Sequence, residues 1–193
     1  MYAYLIKTRG LSVDVVNYFV HDLGILYQDE RKNLVFVGKD KDGISRYAFL
    51  RGTADWYGVY RGDVKGSSKE YNVSIVNPES DELRIFEASI DLMSYIDMTG
   101  DKNSNYLVLG GCVDIALQQF LDDYSHVKRL VFCLDNDEAG KNAAEKYCSK
   151  YRAANYECSV ELPEGKDYNE MLIARKGLEV GNNGKYRPRC TKR

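Results

Sequence analysis

The sequence is poor in the residues that build linkers, zinc sites and disulfide frameworks. It has 3 prolines in 193 residues, which excludes a long proline-rich linker. Its 2 histidines, His21 and His126, lie too far apart along the chain to indicate a histidine-based metal site. The 5 cysteines form no CxxC pair, and Cys133 stands within an apolar run. We therefore expect reduced thiols rather than disulfides or zinc ligands.

Long hydrophobic runs and a strong excess of one charge are also absent. No apolar run approaches the ~20 residues that a membrane-spanning helix needs, and the N-terminus has no secretory pattern. We therefore expect a cytoplasmic protein with no membrane partner. The formal net charge of −2 argues against a uniformly basic nucleic-acid-binding protein. This balance still allows a basic surface on one part of the molecule.

The first 80 residues are typical of a small α+β module. Ser12 is a suitable N-cap for a predicted helix that ends at Gly24. Short strands and one long loop follow, and the loop is rich in glycine, serine and charge. The predicted strands span 34–37, 44–50 and 71–76, and the loop spans 52–69.

Beyond residue 80, strands and helices alternate four times. The predicted strands span 83–87, 106–109, 130–134 and 158–162, and the predicted helices span 89–98, 113–121, 138–151 and 168–176. Such alternation predicts an α/β domain over 81–177, with a four-stranded parallel sheet flanked by helices. The segment 178–193 is rich in glycine, asparagine and basic residues, so we expect a disordered basic tail.

Acidic side chains follow the strands of this predicted sheet. Asp135 and Asp137 come directly after the third strand, Glu87 closes the first strand and Asp167 follows the last one. Asp91 lies four residues after Glu87, so it faces the same region from the first helical turn. Because the carboxyl ends of parallel strands share one edge of the sheet, we expect these acids to converge there. Clustered carboxylates with an open face suit a hard divalent cation such as Mg²⁺.

Three ordered motifs in this part of the chain resemble those of a known domain. They are Phe86–Asp91, similar to EGxxD, Asp135–Ala144, similar to DxDxAGxxAA, and Leu162–Glu170, similar to LPxGKDPDE. This set resembles the Toprim domain of bacterial primases, a Rossmann-like fold that topoisomerases and some nucleases share. The resemblance implies Mg²⁺ or Mn²⁺ held by Glu87, Asp135 and Asp137, with Glu87 as a further candidate for general acid or base. It implies Asp91 and Asp167 as additional ligands, and Lys141 and Lys166 as phosphate contacts.

The motifs also depart from the primase pattern at two positions. Ala88 replaces the glycine that follows the glutamate, and Asn169 stands where the last motif has a second acid. The resemblance then implies a weaker metal position near Asn169. The first 80 residues resemble an uncharacterised module that precedes Toprim in proteins of plasmids, conjugative transposons and phages. That resemblance rests on 9–12 and 35–38, and it implies a mobile-element setting rather than a reaction.

A second group of residues, in the predicted hairpin and loop, interleaves cations with aromatic rings. Cations follow phosphates and rings stack on bases, so this mixture suits single-stranded DNA or RNA. The alternative is an ordinary hairpin face with a polar loop. The candidate nucleic-acid contacts are Arg46, Arg51, Arg61 and Lys65, with Trp56, Tyr57 and Tyr60 between them. For Asp135 and Asp137, the alternative role is N-capping of the next helix.

Three functions follow from the resemblance and stay open at this level. The first is primase-like nucleotidyl transfer in a mobile genetic element, with replication or conjugation proteins as partners. The second is a nuclease, because the same metal site can direct water at a phosphodiester. The third is an accessory nucleic-acid-binding protein without turnover. The sequence contains no recognisable zinc module or helicase motor, nor the basic subdomain that primases place before Toprim.

Overall fold

The structure is a computed structural model that describes residues 1–53, 60–180 and 186–188. Its N-terminal part consists of two short helices, a π-helical turn and a four-stranded antiparallel sheet in the order β1-β2-β3-β4. The elements are α1 (Tyr2–Lys7), α2 (Val13–Asn17), the π-helical turn (Tyr18–Asp22), β1 (Leu26–Gln28), β2 (Leu34–Lys39), β3 (Ser45–Arg51) and β4 (Arg61–Asp63). Ser12 caps α2 through its hydroxyl oxygen, as its sequence position predicts.

A five-stranded sheet forms the second part, in the order β5-β7-β6-β8-β9. The strands β6 to β9 run parallel, and the short β5 pairs antiparallel with β7 at one edge. The elements are β5 (Ser74–Ile75), β6 (Glu82–Phe86), α3 (Ser89–Thr99), β7 (Asn105–Val108), α4 (Ile115–Asp123), β8 (Arg129–Cys133), α5 (Glu138–Ala153), β9 (Glu157–Val160) and α6 (Tyr168–Arg175). The predicted parallel four-stranded α/β sheet is therefore confirmed, with one added edge strand.

Side chains alternate between the two faces of this sheet, and each face has its own core. Leu83, Ile85 and Phe132 pack against α4 and α5 on one side. Phe86 and Val131 face the other side, where α3 and α6 pack. The second core continues into the N-terminal part through apolar residues of α1, α2, β1 and β2. The two parts of the chain therefore share one continuous hydrophobic core.

The N-terminal elements differ from the predicted ones at four places. A helix, α1, precedes the predicted first helix, the unpredicted strand β1 follows that helix, and β4 lies within the stretch predicted as a loop. The predicted strand over 71–76 shrinks to β5, which joins the second sheet rather than the first. A two-residue strand carries almost no periodic signal, so only its long-range partner, β7, defines it.

The C-terminal segment also differs from its prediction where it is described. β10 (Leu178–Val180) and β11 (Tyr186–Pro188) pair as an antiparallel hairpin, in a stretch that was expected to be disordered. The rest of 181–193, including Cys190, lies outside the described residues. Cys112, Cys133, Cys148 and Cys158 are free thiols. No helix within the described ranges has the length and apolar character to cross a bilayer.

Candidate active site

The predicted acids converge at the carboxyl edge of the parallel sheet. Glu87 follows β6, Asp135 and Asp137 follow β8, and Asp167 lies between β9 and α6. Asp91, in the first turn of α3, is 7% exposed. Glu87 and Asp135 are half-buried, whereas Asp137 is exposed. The parallel topology thus brings together acids that are up to 80 positions apart in the sequence.

Burial and mutual repulsion change the pKa values of these carboxyls. Burial raises the pKa of Asp135 to about 7, and repulsion from Glu87, Asp167 and Asp137 adds to the shift. Burial also raises the pKa of Asp91 to about 8, with further repulsion from Asp167, Asp135 and Glu87. The pKa of Glu87 is raised mainly by burial. A set of carboxyls that repel one another at a half-buried edge favours a bound cation or a shared proton.

Two of these acids also cap helices. The Asp137 carboxylate accepts a hydrogen bond from the Gly140 N–H at 2.9 Å, at the start of α5. Asp167 accepts one from the Glu170 N–H at 2.7 Å, at the start of α6. Asp137 therefore has the N-capping role that its sequence position indicates as the alternative. It uses one oxygen of each carboxylate and leaves the second oxygen for another partner.

The chemistry of the cluster suits a hard cation, which carboxylate oxygens bind. Among residues 1–53, 60–180 and 186–188, no three His, Cys, Asp or Glu side chains meet in an arrangement that would enclose a metal ion. Mg²⁺ keeps several waters and needs only one or two direct carboxylates, so the donors present still fit it. Cys112 adds a thiol that donates to the Glu87 carboxylate at 3.5 Å.

The two predicted phosphate-contacting lysines lie on exposed surface near this edge. Lys166 is close enough to lower the pKa values of Glu87 and Asp135, opposing the effect of burial. The backbone of Lys166 is held by two hydrogen bonds, from its N–H to Glu170 at 2.6 Å and from the Asn136 N–H at 2.8 Å. Lys141 lies on the exposed surface of α5, one turn after Asp137.

A cavity of about 180 Å³ opens beside Glu87, between the two parts of the chain. Its wall includes Arg51, Arg61 and Asn72 from the N-terminal part, and Glu87 and Gly110 from the second sheet. It also includes the start of α3, where no side chain caps the first N–H groups. Such a helix start attracts anions.

Arg51 does not lie on the surface, where the nucleic-acid prediction placed it. It is 7% exposed, and its Nε donates to the Tyr4 hydroxyl at 3.0 Å. Burial and the nearby charges of Arg9 and Arg61 lower its pKa. Within the described ranges, no carboxylate forms an ion pair with any of these three arginines. Arg51 is the buried member of this group, and a buried cation without a counter-ion favours an anionic ligand.

The other predicted nucleic-acid contacts are spread apart. Arg61 is exposed and lines the cavity, and Lys65 lies in the exposed turn after β4. Arg46 is exposed and binds Asp40 at 2.7 Å, away from the cavity. Trp56 and Tyr57 lie outside the described residues. The structure therefore brings Arg51 and Arg61 together and leaves Arg46 apart.

Sequence reasoning missed Tyr4, Asn72 and Cys112 as parts of this region. The Asn72 amide nitrogen is buried with no acceptor in the described part of the chain, and it lies at the cavity wall beside Gly110. A Cβ atom on Gly110 would lie 2.6 Å from that nitrogen, and the φ of 70° at Gly110 lies in the left-handed region that favours glycine. No local pattern singles out these residues, because their partners come from distant segments.

Two families match the sequence, and together they span most of it. Residues 84–172 match the family described as Toprim-like, and residues 3–79 match a family described as protein of unknown function (DUF3991). An uncharacterized protein of Bacillus anthracis is 26% identical over 155 residues, covering 74% of this chain and 45% of the relative. A 65 kDa protein of Zymomonas mobilis is 27% identical over 170 residues, covering 78% of this chain and 28% of the relative. The chain thus spans less than half of the length of both relatives.

Solved primase structures share the fold. The primase fragment of the bacteriophage T7 primase-helicase superposes with a TM-score of 0.68 at 15% identity, covering 86% of this chain and 68% of that one. A DnaG primase catalytic domain bound to ssDNA gives a TM-score of 0.58 at 18% identity, covering 90% and 67%. The RNA polymerase domain of Mycobacterium tuberculosis DnaG, with a double-stranded DNA oligomer, gives 0.57 at 14% identity, covering 95% and 79%.

These matches extend well beyond the Toprim-like residues, which make up less than half of the chain. The superposed region therefore includes most of the N-terminal part, although no primase subdomain is recognisable there from the sequence. Residues 84–172 thus match a Toprim-like family, residues 3–79 before them match DUF3991, and the chain shares the fold of the solved primase structures.

Proposed function

We propose that the protein is a Mg²⁺-dependent nucleotidyltransferase that acts on single-stranded DNA or RNA in the manner of a primase. The observation that carries the proposal is the position of Glu87, which belongs to the acidic cluster and also lines the arginine-bearing cavity. A nucleoside triphosphate needs a metal ion on its phosphates and cationic groups around them. Here Glu87 of the acidic cluster lines the same cavity as Arg51 and Arg61.

In this proposal the acids of the second part of the chain bind the metal ion, and the arginines of the N-terminal part contact the phosphates. Asp135 and Asp137 would hold Mg²⁺, with Glu87 completing the set, and the bound ion would stabilise charge on the phosphoryl oxygens. Arg51 and Arg61 neutralise phosphate charge from the opposite wall. Burial raises the pKa of Glu87 above its ordinary value, which is the direction that favours a carboxyl acting as general acid or base.

The comparisons support a nucleic-acid partner without identifying it. One solved primase domain of this fold is described as bound to ssDNA, and another as bound to a double-stranded DNA oligomer with a 6-nucleotide overhang. A single-stranded template suits the open edge beside Lys166 and Lys141, which are exposed. The mobile-element setting and the replication or conjugation partners stay predictions.

A primer-synthesis assay tests the proposal. The full chain is incubated with labelled nucleoside triphosphates, Mg²⁺ and a single-stranded oligonucleotide, and products are separated by size. We expect short new strands from the wild type and at least a 100-fold loss for Asp135→Asn and Asp137→Asn, because metal and charge stabilisation supply much of such a rate. Cleavage of the oligonucleotide without triphosphates would identify a nuclease instead. Binding of the oligonucleotide with neither product would identify an accessory binding protein.

Two exposed arginines of the N-terminal module provide a test of the cavity and its control. Arg61 lines the cavity, and Arg46 is not among its lining residues. We expect Arg61→Ala to weaken triphosphate binding about tenfold or more, the effect of losing a charged hydrogen bond. Arg46→Ala serves as the control, since Arg46 binds Asp40 away from the cavity. Its affinity is expected to stay within about twofold of the wild type. Equal effects of the two substitutions, measured by titration calorimetry, would contradict the assignment of the cavity.

A further inference from the structure

Asn169 occupies the position at which the last Toprim-like motif is expected to carry an acid. It lies in the first turn of α6, two residues after Asp167, and it is 4% exposed. Its backbone N–H donates to the Asp91 carboxylate at 3.3 Å, so it adjoins the acidic cluster. The position alone does not tell whether the side chain serves the metal or something else.

The side-chain contacts of Asn169 point away from metal binding. Its amide nitrogen donates to the Arg9 carbonyl oxygen at 2.8 Å and to the Ser94 hydroxyl at 3.0 Å. Its amide oxygen accepts from the Arg9 guanidinium at 3.4 Å. Both donors and the acceptor are in use, and an aspartate in this place would offer no donor. The site therefore requires an amide.

The contacts continue from Arg9 to the cavity. The Arg9 guanidinium donates to the Tyr4 hydroxyl from Nε at 3.0 Å and from Nη2 at 2.9 Å. Arg51 donates to the same hydroxyl at 3.0 Å. A hydrogen-bonded chain thus runs from Asp91 through Asn169, Arg9 and Tyr4 to Arg51. It joins the acidic cluster to the cavity across the two modules.

The turn at 9–12 of the N-terminal module, which contains Arg9, is bound at two more backbone atoms. Lys176 donates to the Gly10 carbonyl at 2.8 Å, and the Asp97 carboxylate accepts from the Ser12 N–H at 2.8 Å. Lys176 and Asp97 also pair with each other at 2.8 Å. Residues of α3 and of the C-terminal end of α6 therefore bind this turn mainly through its backbone. Among them, Asn169 adjoins the acidic cluster through Asp91.

We propose that Asn169 is a positioning residue that sets the place of Arg9, and through Tyr4 that of Arg51, relative to the acidic cluster. It would fix the separation between the two walls that receive the phosphates of a nucleotide, and it would not be a metal ligand. This inference rests on the proposed function, because it concerns the same cavity. It also explains why an amide replaces the acid of the family motif in this chain.

The substitution Asn169→Asp separates the two roles, because it keeps the shape, removes both donors and adds a carboxylate. Two titrations are made on the full chain: inorganic pyrophosphate in EDTA by calorimetry, and Mn²⁺ without phosphate by electron paramagnetic resonance. We expect pyrophosphate affinity to fall at least tenfold and Mn²⁺ affinity not to rise. Tighter Mn²⁺ binding with unchanged pyrophosphate affinity would overturn the inference, and so would no change in either. Asn142→Asp makes the same chemical change on the exposed surface of α5 and is expected to leave both affinities within twofold.

Tyr4→Phe keeps the inference testable if Asn169→Asp does not fold. It removes the hydroxyl that Arg9 and Arg51 share, so we expect pyrophosphate affinity to fall several-fold with normal Mn²⁺ binding. An unchanged pyrophosphate affinity would contradict the positioning chain. Failure of the proposed function would give a different result. The wild type would then bind no pyrophosphate, or Arg61→Ala would leave its pyrophosphate affinity unchanged.

Discussion

At the scale of single residues, two side chains of the candidate site have a structural task beside the chemical one that we propose for them. Asp137 and Asp167 each begin a helix by accepting an N–H, while their second oxygens remain available. Capping and metal binding are therefore not alternatives at these positions. Replacing either by asparagine keeps a capping oxygen, which is why the catalytic test uses asparagine rather than alanine.

Asp114 provides a pH-dependent prediction away from the acidic cluster. Its carboxylate accepts from Lys150 at 2.6 Å and from the Tyr151 hydroxyl at 2.8 Å. Burial alone would raise its pKa, but these hydrogen bonds outweigh burial and hold the pKa below its ordinary value of 3.8. A lowered carboxyl pKa stabilises the fold above pH 3.8, and this contribution is lost as the pH falls through the folded-state value.

We expect Asp114→Asn to lower the free energy of unfolding by about 1–2 kcal/mol at pH 7, the size of a charged hydrogen bond in a partly exposed setting. The gap between variant and wild type should close as the pH approaches 2. Urea denaturation at pH 7, 4 and 2.5 measures it. A gap that stays constant across this range would mean that the charge of Asp114 contributes nothing.

At the scale of elements, the start of α5 depends on close contact between a helix and the loop before it. A Cβ atom on Gly140 would lie 2.1 Å from the Asp135 carbonyl oxygen, a distance that forces the backbone to move. The glycine of this motif is thus needed for space, since its backbone conformation is an ordinary helical one. Glycine at this position lets the start of α5 lie directly against the backbone of Asp135, which follows β8.

We therefore predict that Gly140→Ala displaces Asp135, lowers the free energy of unfolding by about 1–3 kcal/mol and weakens Mn²⁺ binding. Ala139→Ser is the matched control, because Ala139 is the exposed neighbour in the same turn. Thermal unfolding and Mn²⁺ titration of both variants check the prediction. It would be wrong if the two variants behaved alike.

At the scale of the whole molecule, the two modules share a hydrophobic core, and both contribute residues to the cavity. Apolar side chains of the N-terminal module, such as Phe19 and Leu11, belong to the same cluster as Phe86 and Val108 of the second sheet. The strand β5 comes before the Toprim-like residues, yet it pairs with β7. Removing the first module would expose to water the part of this core that the N-terminal side chains cover on the α3 and α6 side of the sheet.

A fragment of residues 80–177 is accordingly expected not to unfold cooperatively. It lacks β5 and the N-terminal half of one core, so helical circular dichroism should persist while the fragment binds a hydrophobic dye such as ANS. Calorimetry and dye fluorescence of the fragment beside the full chain make the comparison. A sharp calorimetric transition in the fragment, at the temperature of the full chain, would contradict this expectation.

The extent of correct prediction followed the strength of the local pattern. The strands β6 to β9 and the helices α3 to α6 lie within about two residues of their predicted places, because long apolar runs and amphipathic repeats define them. The N-terminal elements are shorter and carry weaker periodicity, so α1, β1, β4 and the true partner of β5 were missed. Arg51 was expected at the surface because it belongs to a stretch that interleaves cations with aromatic rings, a composition that suits single-stranded nucleic acid.

The sequence by itself determined the parallel sheet and the meeting of its acids at one edge. Strand direction alone brings Glu87 and Asp135 together, since parallel strands end on the same side. Only the tertiary structure decided that Arg51 turns inward and that Asn169 binds the backbone of Arg9, 160 residues away. Side-chain hydrogen bonds between separate modules leave no periodic trace in the chain, because they depend on how two folded surfaces meet rather than on neighbouring residues.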